Sequence, residues 1–175
     1  IDAEEREGFY RYYMQGVGTE FKEIGEFKPD SQGLMMSTGG ENRINWGFTR
    51  LIDALRRASG KTYLDPVDAY TLVQKMGTSL TEDALGASVF KSSYTRRREV
   101  LAQPLAELES QIDAAHKAKS IPKIMAVRLF VYGFSRGAAE ARAFATWLEA
   151  LTKVDVEGDS CYLLAGLPIK IVFMG

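Results

Sequence analysis

Cysteine and histidine each occur once in these 175 residues, as Cys161 and His116. A lone cysteine excludes any intrachain disulfide and fits synthesis in a reducing compartment. With a single histidine and no cysteine cluster there is no ligand set for a metal, so neither a metal nor another cofactor is expected. Charge of one sign is also lacking: the net charge is −1, so no global field draws in nucleic acid. The one dense basic cluster, Arg96-Arg97-Arg98, is too short to change this and reads as a solvated face. No run approaches the roughly 18 apolar residues of a membrane span, because the best, over 124–134, is interrupted by Arg128. The opening Ile1-Asp2-Ala3-Glu4-Glu5-Arg6-Glu7 has neither the basic start nor the apolar stretch of a signal peptide. It has no initial Met, so the natural ends are expected elsewhere.

What is present is an ordinary globular composition, 46% hydrophobic and 26% charged, which argues against disorder and against a coiled coil. Internal repeats and low-complexity tracts are absent. Residues 8–19, with Phe9, Tyr10, Tyr12, Tyr13 and Val17, read as a strand running into the glycine turn Gly16-Val17-Gly18. Residues 21–38 read as irregular. Gly39-Gly40 precede a predicted helix over 41–58, where Ile44, Phe48, Leu51, Ile52 and Leu55 share a face. A shorter helix is predicted over 64–76, with Asp65 as N-cap and Pro66 at its first position. A long amphipathic helix is predicted over 94–119, kinked or broken near Gln103 by Pro104. Its stripe of Leu101, Leu105, Leu108, Ile112 and Ala115 reads as core-facing, with a membrane-contacting lid as the sharper alternative.

From Pro122 the pattern changes. Residues 123–132 read as a strand buried on both faces, 135–151 as a helix, 155–160 as a polar loop and 169–174 as a second strand. Strand, helix and strand at this spacing make a βαβ unit. At its first junction stands Gly133-Phe134-Ser135-Arg136-Gly137, the Gly-x-Ser-x-Gly pattern of a nucleophile elbow. A serine at the tip of such a turn is forced into a strained backbone conformation that pushes its hydroxyl outward. The helix must fold back closely on the strand, so Gly133 and Gly137 are expected to be positions where side chains do not fit. The helix start sets backbone N–H groups beside the serine, making the N–H of Arg136 one half of an oxyanion hole. The blander reading keeps Ser135 as a helix cap at a glycine-rich junction.

A nucleophilic serine needs a base oriented by an acid, following it along the chain in the order acid, then histidine. His116 precedes Ser135 and reads as a solvated helix residue. The later acids, Glu140, Glu149, Asp155, Glu157 and Asp159, follow no predicted strand. The sequence therefore cannot complete a triad in that order.

Residues 131–144, Val-Tyr-Gly-Phe-Ser-Arg-Gly-Ala-Ala-Glu-Ala-Arg-Ala-Phe, closely resemble the elbow of the type VI secretion lipase effectors of the first phospholipase class. These belong to a wider group of hydrolases long known only as a domain of unknown function. Tyr13-Met14-Gln15-Gly16-Val17-Gly18-Thr19, Glu41-Asn42-Arg43-Ile44 and residues 164–175 resemble further parts of that family. The resemblance implies a partial α/β-hydrolase fold: a mostly parallel sheet flanked by helices, with the elbow between a buried strand and its helix. It implies one incomplete catalytic domain over 1–175, with a helical insertion at about 60–120. The family's first strand, triad acid and triad histidine would lie outside the chain.

The implied activity is hydrolysis of glycerophospholipid acyl esters, commonly of phospholipase A2 type, with Ser135 as nucleophile. The implied partners are a phospholipid membrane surface, an immunity protein, the secretion spike and the remainder of the same polypeptide, with no nucleic acid. Such effectors are made in the bacterial cytoplasm, secreted without a signal peptide, and act in the periplasm or at the membranes of a target cell. The competing expectation is an interaction module gripped by an immunity or secretion partner, in which the elbow is scaffold. A phosphate site at Gly16-Val17-Gly18 or Gly39-Gly40 is a third, although neither run matches a nucleotide fingerprint.

Overall fold

In the computed structural model, residues 3–29, 39–77, 93–152, 164 and 169–174 are described. The chain begins with the short helix α1 (Ala3–Arg6) and a single 3-10 turn at Lys22–Ile24. Helix α2 (Gly40–Ala58) follows, then α3 (Pro66–Met76) and α4 (Ser93–Lys117). Strand β1 (Val127–Tyr132), helix α5 (Arg136–Thr152) and strand β2 (Ile169–Met174) complete the order.

The helices form where apolar residues recur at helical spacing and caps close their ends. At α3 the Asp65 carboxylate accepts from the N–H of Val67 at 2.8 Å, and Pro66 occupies the first turn, where a missing N–H leaves no bond unmade. The α4 residues Leu101, Leu105, Leu108 and Ile112 are all buried and meet Ile44, Phe48, Leu51, Ile52 and Leu55 of α2. Ala69 and Met76 of α3 and Leu148 and Leu151 of α5 close the same core. A second cluster joins Phe21, Ile24, Trp46 and Val73, with the Phe21 and Trp46 rings edge to face at 5.0 Å. Helix α4 runs through Pro104, so of the two expectations near Gln103, a kink or a break, the break does not occur.

The expectation of a mostly parallel sheet flanked by helices, a partial α/β-hydrolase fold, is not met. The described residues are mostly helical, and their named strands are the single parallel pair β1 and β2, in register from Val127↔Ile169 to Tyr132↔Met174. Residues 8–19 form no strand either. Two of their aromatic side chains, Tyr10 and Tyr12, meet α2 rather than a strand partner, while Phe9 and Tyr13 are exposed. The Tyr12 hydroxyl donates to Asp53 at 2.7 Å, and the Arg50 and Arg57 guanidinium groups lie over the Tyr12 and Tyr10 rings at 5.7 and 5.4 Å.

Strand β1 was expected to be buried on both faces, yet its burial alternates. Val127 and Leu129 pack towards the core, while Phe130 and Tyr132 are exposed, as is Val172, the register partner of Phe130. Among the described residues nothing covers that outer face. The expected polar loop over 155–160, Cys161, and residues 165–168 and 175 of the 164–175 stretch that resembles the family lie outside the described residues. None of the described helices is long and apolar enough to cross a membrane.

Candidate active site

Ser135 stands between the end of β1 and the first residue of α5, exposed to solvent, with φ +55. That left-handed conformation costs a residue with a Cβ about 1–2 kcal/mol. It is imposed by the reversal from strand to helix, in which the N–H of Gly137 donates to the Phe134 carbonyl at 2.9 Å and that of Ala138 to the Ser135 carbonyl at 3.0 Å. The two flanking glycines differ. A Cβ on Gly133 would run into the Gly137 carbonyl and lie 2.7 Å from the Ala138 nitrogen, so the fold-back leaves no room for one. A Cβ on Gly137 would meet nothing within 4 Å, contrary to the expectation of crowding on both sides. Phe134, between them, is 93% exposed.

Arg136 opens α5, so its backbone N–H points along the positive end of the helix dipole, as an oxyanion donor requires. Its side chain turns to the glycine turn at 16–18, where it donates to the Val17 carbonyl at 3.3 Å. The same turn is gripped from its other side by Arg43, which is fully buried. Arg43 donates to the carbonyls of Gln15 at 3.0 Å, Gly16 at 3.1 Å and Thr19 at 3.0 Å, and to that of Gly39 at 3.3 Å. The Glu26 carboxylate answers its charge at 2.9 and 2.7 Å. Two guanidinium groups thus fasten the 15–19 turn against the starts of α2 and α5.

This arrangement argues against phosphate at either glycine run. The carbonyls of Gly16, Val17 and Thr19 are turned towards cations, whereas a phosphate cradle presents N–H groups. At Gly39-Gly40 the carboxylates of Glu26 and Glu140 already lie against the two glycines. Gly39, at φ +83, has no room for a side chain because Glu26 and Arg43 fill the space.

Glu140 is the site residue whose role sequence reasoning missed. It sits one turn beyond Arg136, only 7% exposed, and neither carboxylate oxygen has a hydrogen-bond partner. Its Oε1 lies 3.3 Å from where a Cβ on Gly40 would be. Burial pushes its pKa up to about 7, with Glu26 adding to the rise and the charges of Arg43 and Arg136 opposing it. The only signal in the sequence is an acid on the same helical face as Phe144, Trp147 and Leu151, which reads equally well as a solvated position.

His116 is exposed in the last turn of α4. Gly60, just past the end of α2, lies near Ile121, and an open groove of about 470 Å³ there is lined by Ser59, Gly60 and Ala115. The start of α2 lies instead against Glu140, beside Ser135. The 19 residues of α2, about 28 Å of helix, therefore separate His116 from the serine. Among the described residues no histidine or carboxylate bonds the Ser135 hydroxyl, and no three His, Cys, Asp or Glu gather as a metal site.

No family model matches the chain, and no curated protein does. Among solved structures it is similar to a crystal structure of an uncharacterized protein from Pseudomonas aeruginosa, at 46% identity and a TM-score of 0.78. The match covers 91% of this chain, which spans 22% of the length of that one.

Proposed function

We propose that this chain carries the nucleophile of a serine hydrolase that cleaves acyl esters of glycerophospholipids, a phospholipase of A2 type. In this reading it belongs to a longer antibacterial effector delivered by type VI secretion. The observation that carries it is Ser135 itself, exposed and left-handed at a strand-to-helix turn that admits no side chain at Gly133. A serine that merely capped a helix would have ordinary extended backbone and would need no such strain. The resemblance of residues 131–144 to the effectors' elbow supplies the substrate class.

The Ser135 Oγ attacks the ester carbonyl carbon as its proton passes to a general base. The backbone N–H of Arg136 holds the oxyanion, and collapse of the adduct expels the lysophospholipid alcohol. Water then releases the fatty acid from the serine. The base and the acid that orients it belong to the remainder of the polypeptide, and this chain alone is inactive. That division accords with a chain spanning 22% of its 46%-identical structural relative. The protein is made in the bacterial cytoplasm, travels with the secretion spike, is held by an immunity protein and acts at target-cell membranes from the periplasm. Fatty-acid release from phospholipid vesicles by the full-length protein and its Ser135→Ala variant tests the reading. A loss of at least about a thousandfold is expected, and equal rates would sink it.

A second reading, an interaction module bound by an immunity or secretion partner, is favoured by one observation. Phe130 and Tyr132, on the outer face of β1, and Phe134, in the turn after it, are 55%, 64% and 93% exposed, an apolar surface next to the serine. Under it, Ser135→Ala leaves partner binding and toxicity unchanged.

A further inference from the structure

The groups around Glu140 are placed so that its carboxyl can decide where the Arg136 guanidinium goes. Arg136 and Glu140 are four residues apart on α5, hence neighbours on one helix face. The carboxyl is buried, both of its oxygens are without a hydrogen-bond partner, and it rests against Gly40 at the start of α2. Arg43, the other cation facing it, has its donors directed to four carbonyls and to Glu26. Glu26 is therefore committed to Arg43, and Glu41, the remaining acid on the first turn of α2, pairs with Arg97 at 2.9 Å. Of the charged groups around Glu140, Arg136 is the one on its own helix face, and its Nη2 now reaches Val17 over a long 3.3 Å bond.

We infer that Glu140 is a positioning residue for the Ser135 turn: its neutral carboxyl leaves Arg136 holding the Val17 carbonyl, and its carboxylate draws Arg136 away, releasing that carbonyl and leaving the 15–19 turn held by Arg43 alone. A neutral buried carboxyl gains less from the guanidinium than Val17 does. An ionised one is a charge buried without a partner, and a guanidinium four residues away satisfies it by rotating about its own side chain. The raised pKa places the change near pH 7, where both arrangements are accessible. The inference rests on the proposed nucleophile only for its effect on rate; the movement of the turn is independent of catalysis.

The test therefore has two arms, on the full-length protein and its Glu140→Gln and Arg136→Met variants. In the first, amide hydrogen exchange at residues 16–19, corrected for intrinsic rates, is followed on both sides of pH 7. Wild type should lose protection several-fold as pH rises, and both variants should not. The second arm is ester hydrolysis, in which the ratio of the Glu140→Gln rate to the wild-type rate should climb several-fold across the same interval. Taking that ratio cancels the titration of the general base. Protection that is flat in wild type, or that changes equally in all three proteins, overturns the inference. Protection that changes as stated in a protein whose hydrolysis is indifferent to Ser135→Ala upholds it and removes the nucleophile instead.

Discussion

At the scale of single residues, the strain at Ser135 and the crowding at Gly133 are one fact seen twice. The chain reverses from β1 into α5 so tightly that the backbone two residues before the serine touches the backbone two and three residues after it. Gly133→Ala should therefore break the turn rather than dent it, because the atoms in the way are backbone and cannot rotate aside. The expected cost is several kcal/mol, of the order of a severe core clash, together with loss of any hydrolysis. Gly137, in the same five-residue motif, should respond in the opposite sense. It lies in the first turn of α5 with open space beside it, so Gly137→Ala should raise stability by about 0.5–1 kcal/mol through the lost freedom of the unfolded chain. Urea midpoints of the two variants decide the matter; if both fall alike, the geometry of the turn is wrong. The motif could be found in the sequence, but the asymmetry between its glycines could not, since it depends on which way each Cα–H bond points.

At the scale of elements, legibility followed the kind of signal. Helices α2 to α5 were legible because a helix closes its own hydrogen bonds and needs only one apolar stripe, as Leu101, Leu105, Leu108 and Ile112 show. Strands depend on partners that a sequence does not name. The aromatics over 9–13 had the composition of a strand, yet the Tyr12 hydroxyl found Asp53 on a helix and no ladder formed. Strand β1 read as buried on both faces from its apolar run, and the structure covers one. Pro104 does not break α4 but stays within it, where a proline cannot donate to the carbonyl four residues earlier. Pro104→Ala should restore that bond and raise the unfolding midpoint, by up to about 3 kcal/mol in stability if the helix is otherwise straight. An unchanged midpoint would mean that α4 gains as much from the ring's packing as it loses.

At the scale of the whole molecule, the near-balance of charge conceals where charge is placed. A net charge of −1 tells nothing of Arg43 and Glu140, two buried charged residues whose surroundings decide how the first 29 residues attach to the helices. Neither was legible as such, because a charged residue on a helix reads as solvated until the packing around it is known. Their placement makes global stability depend on pH with a definite sign. Glu140 keeps its proton in the folded chain up to about pH 7, whereas the unfolded chain releases it near 4.5. Between those values the unfolded chain binds one proton fewer, so stability falls as pH rises. The contribution is fully present below the unfolded value and is lost by the time pH has risen through 7, at most about 3 kcal/mol for a shift of this size. Denaturant unfolding of wild type across that interval should show the decline, and Glu140→Gln should remove it while leaving the curve below pH 4 nearly unchanged. A decline of equal slope in the variant would place the titrating group elsewhere. A slope that disappears identifies Glu140 as the residue through which the start of α5, and with it the Ser135 turn, senses the solution.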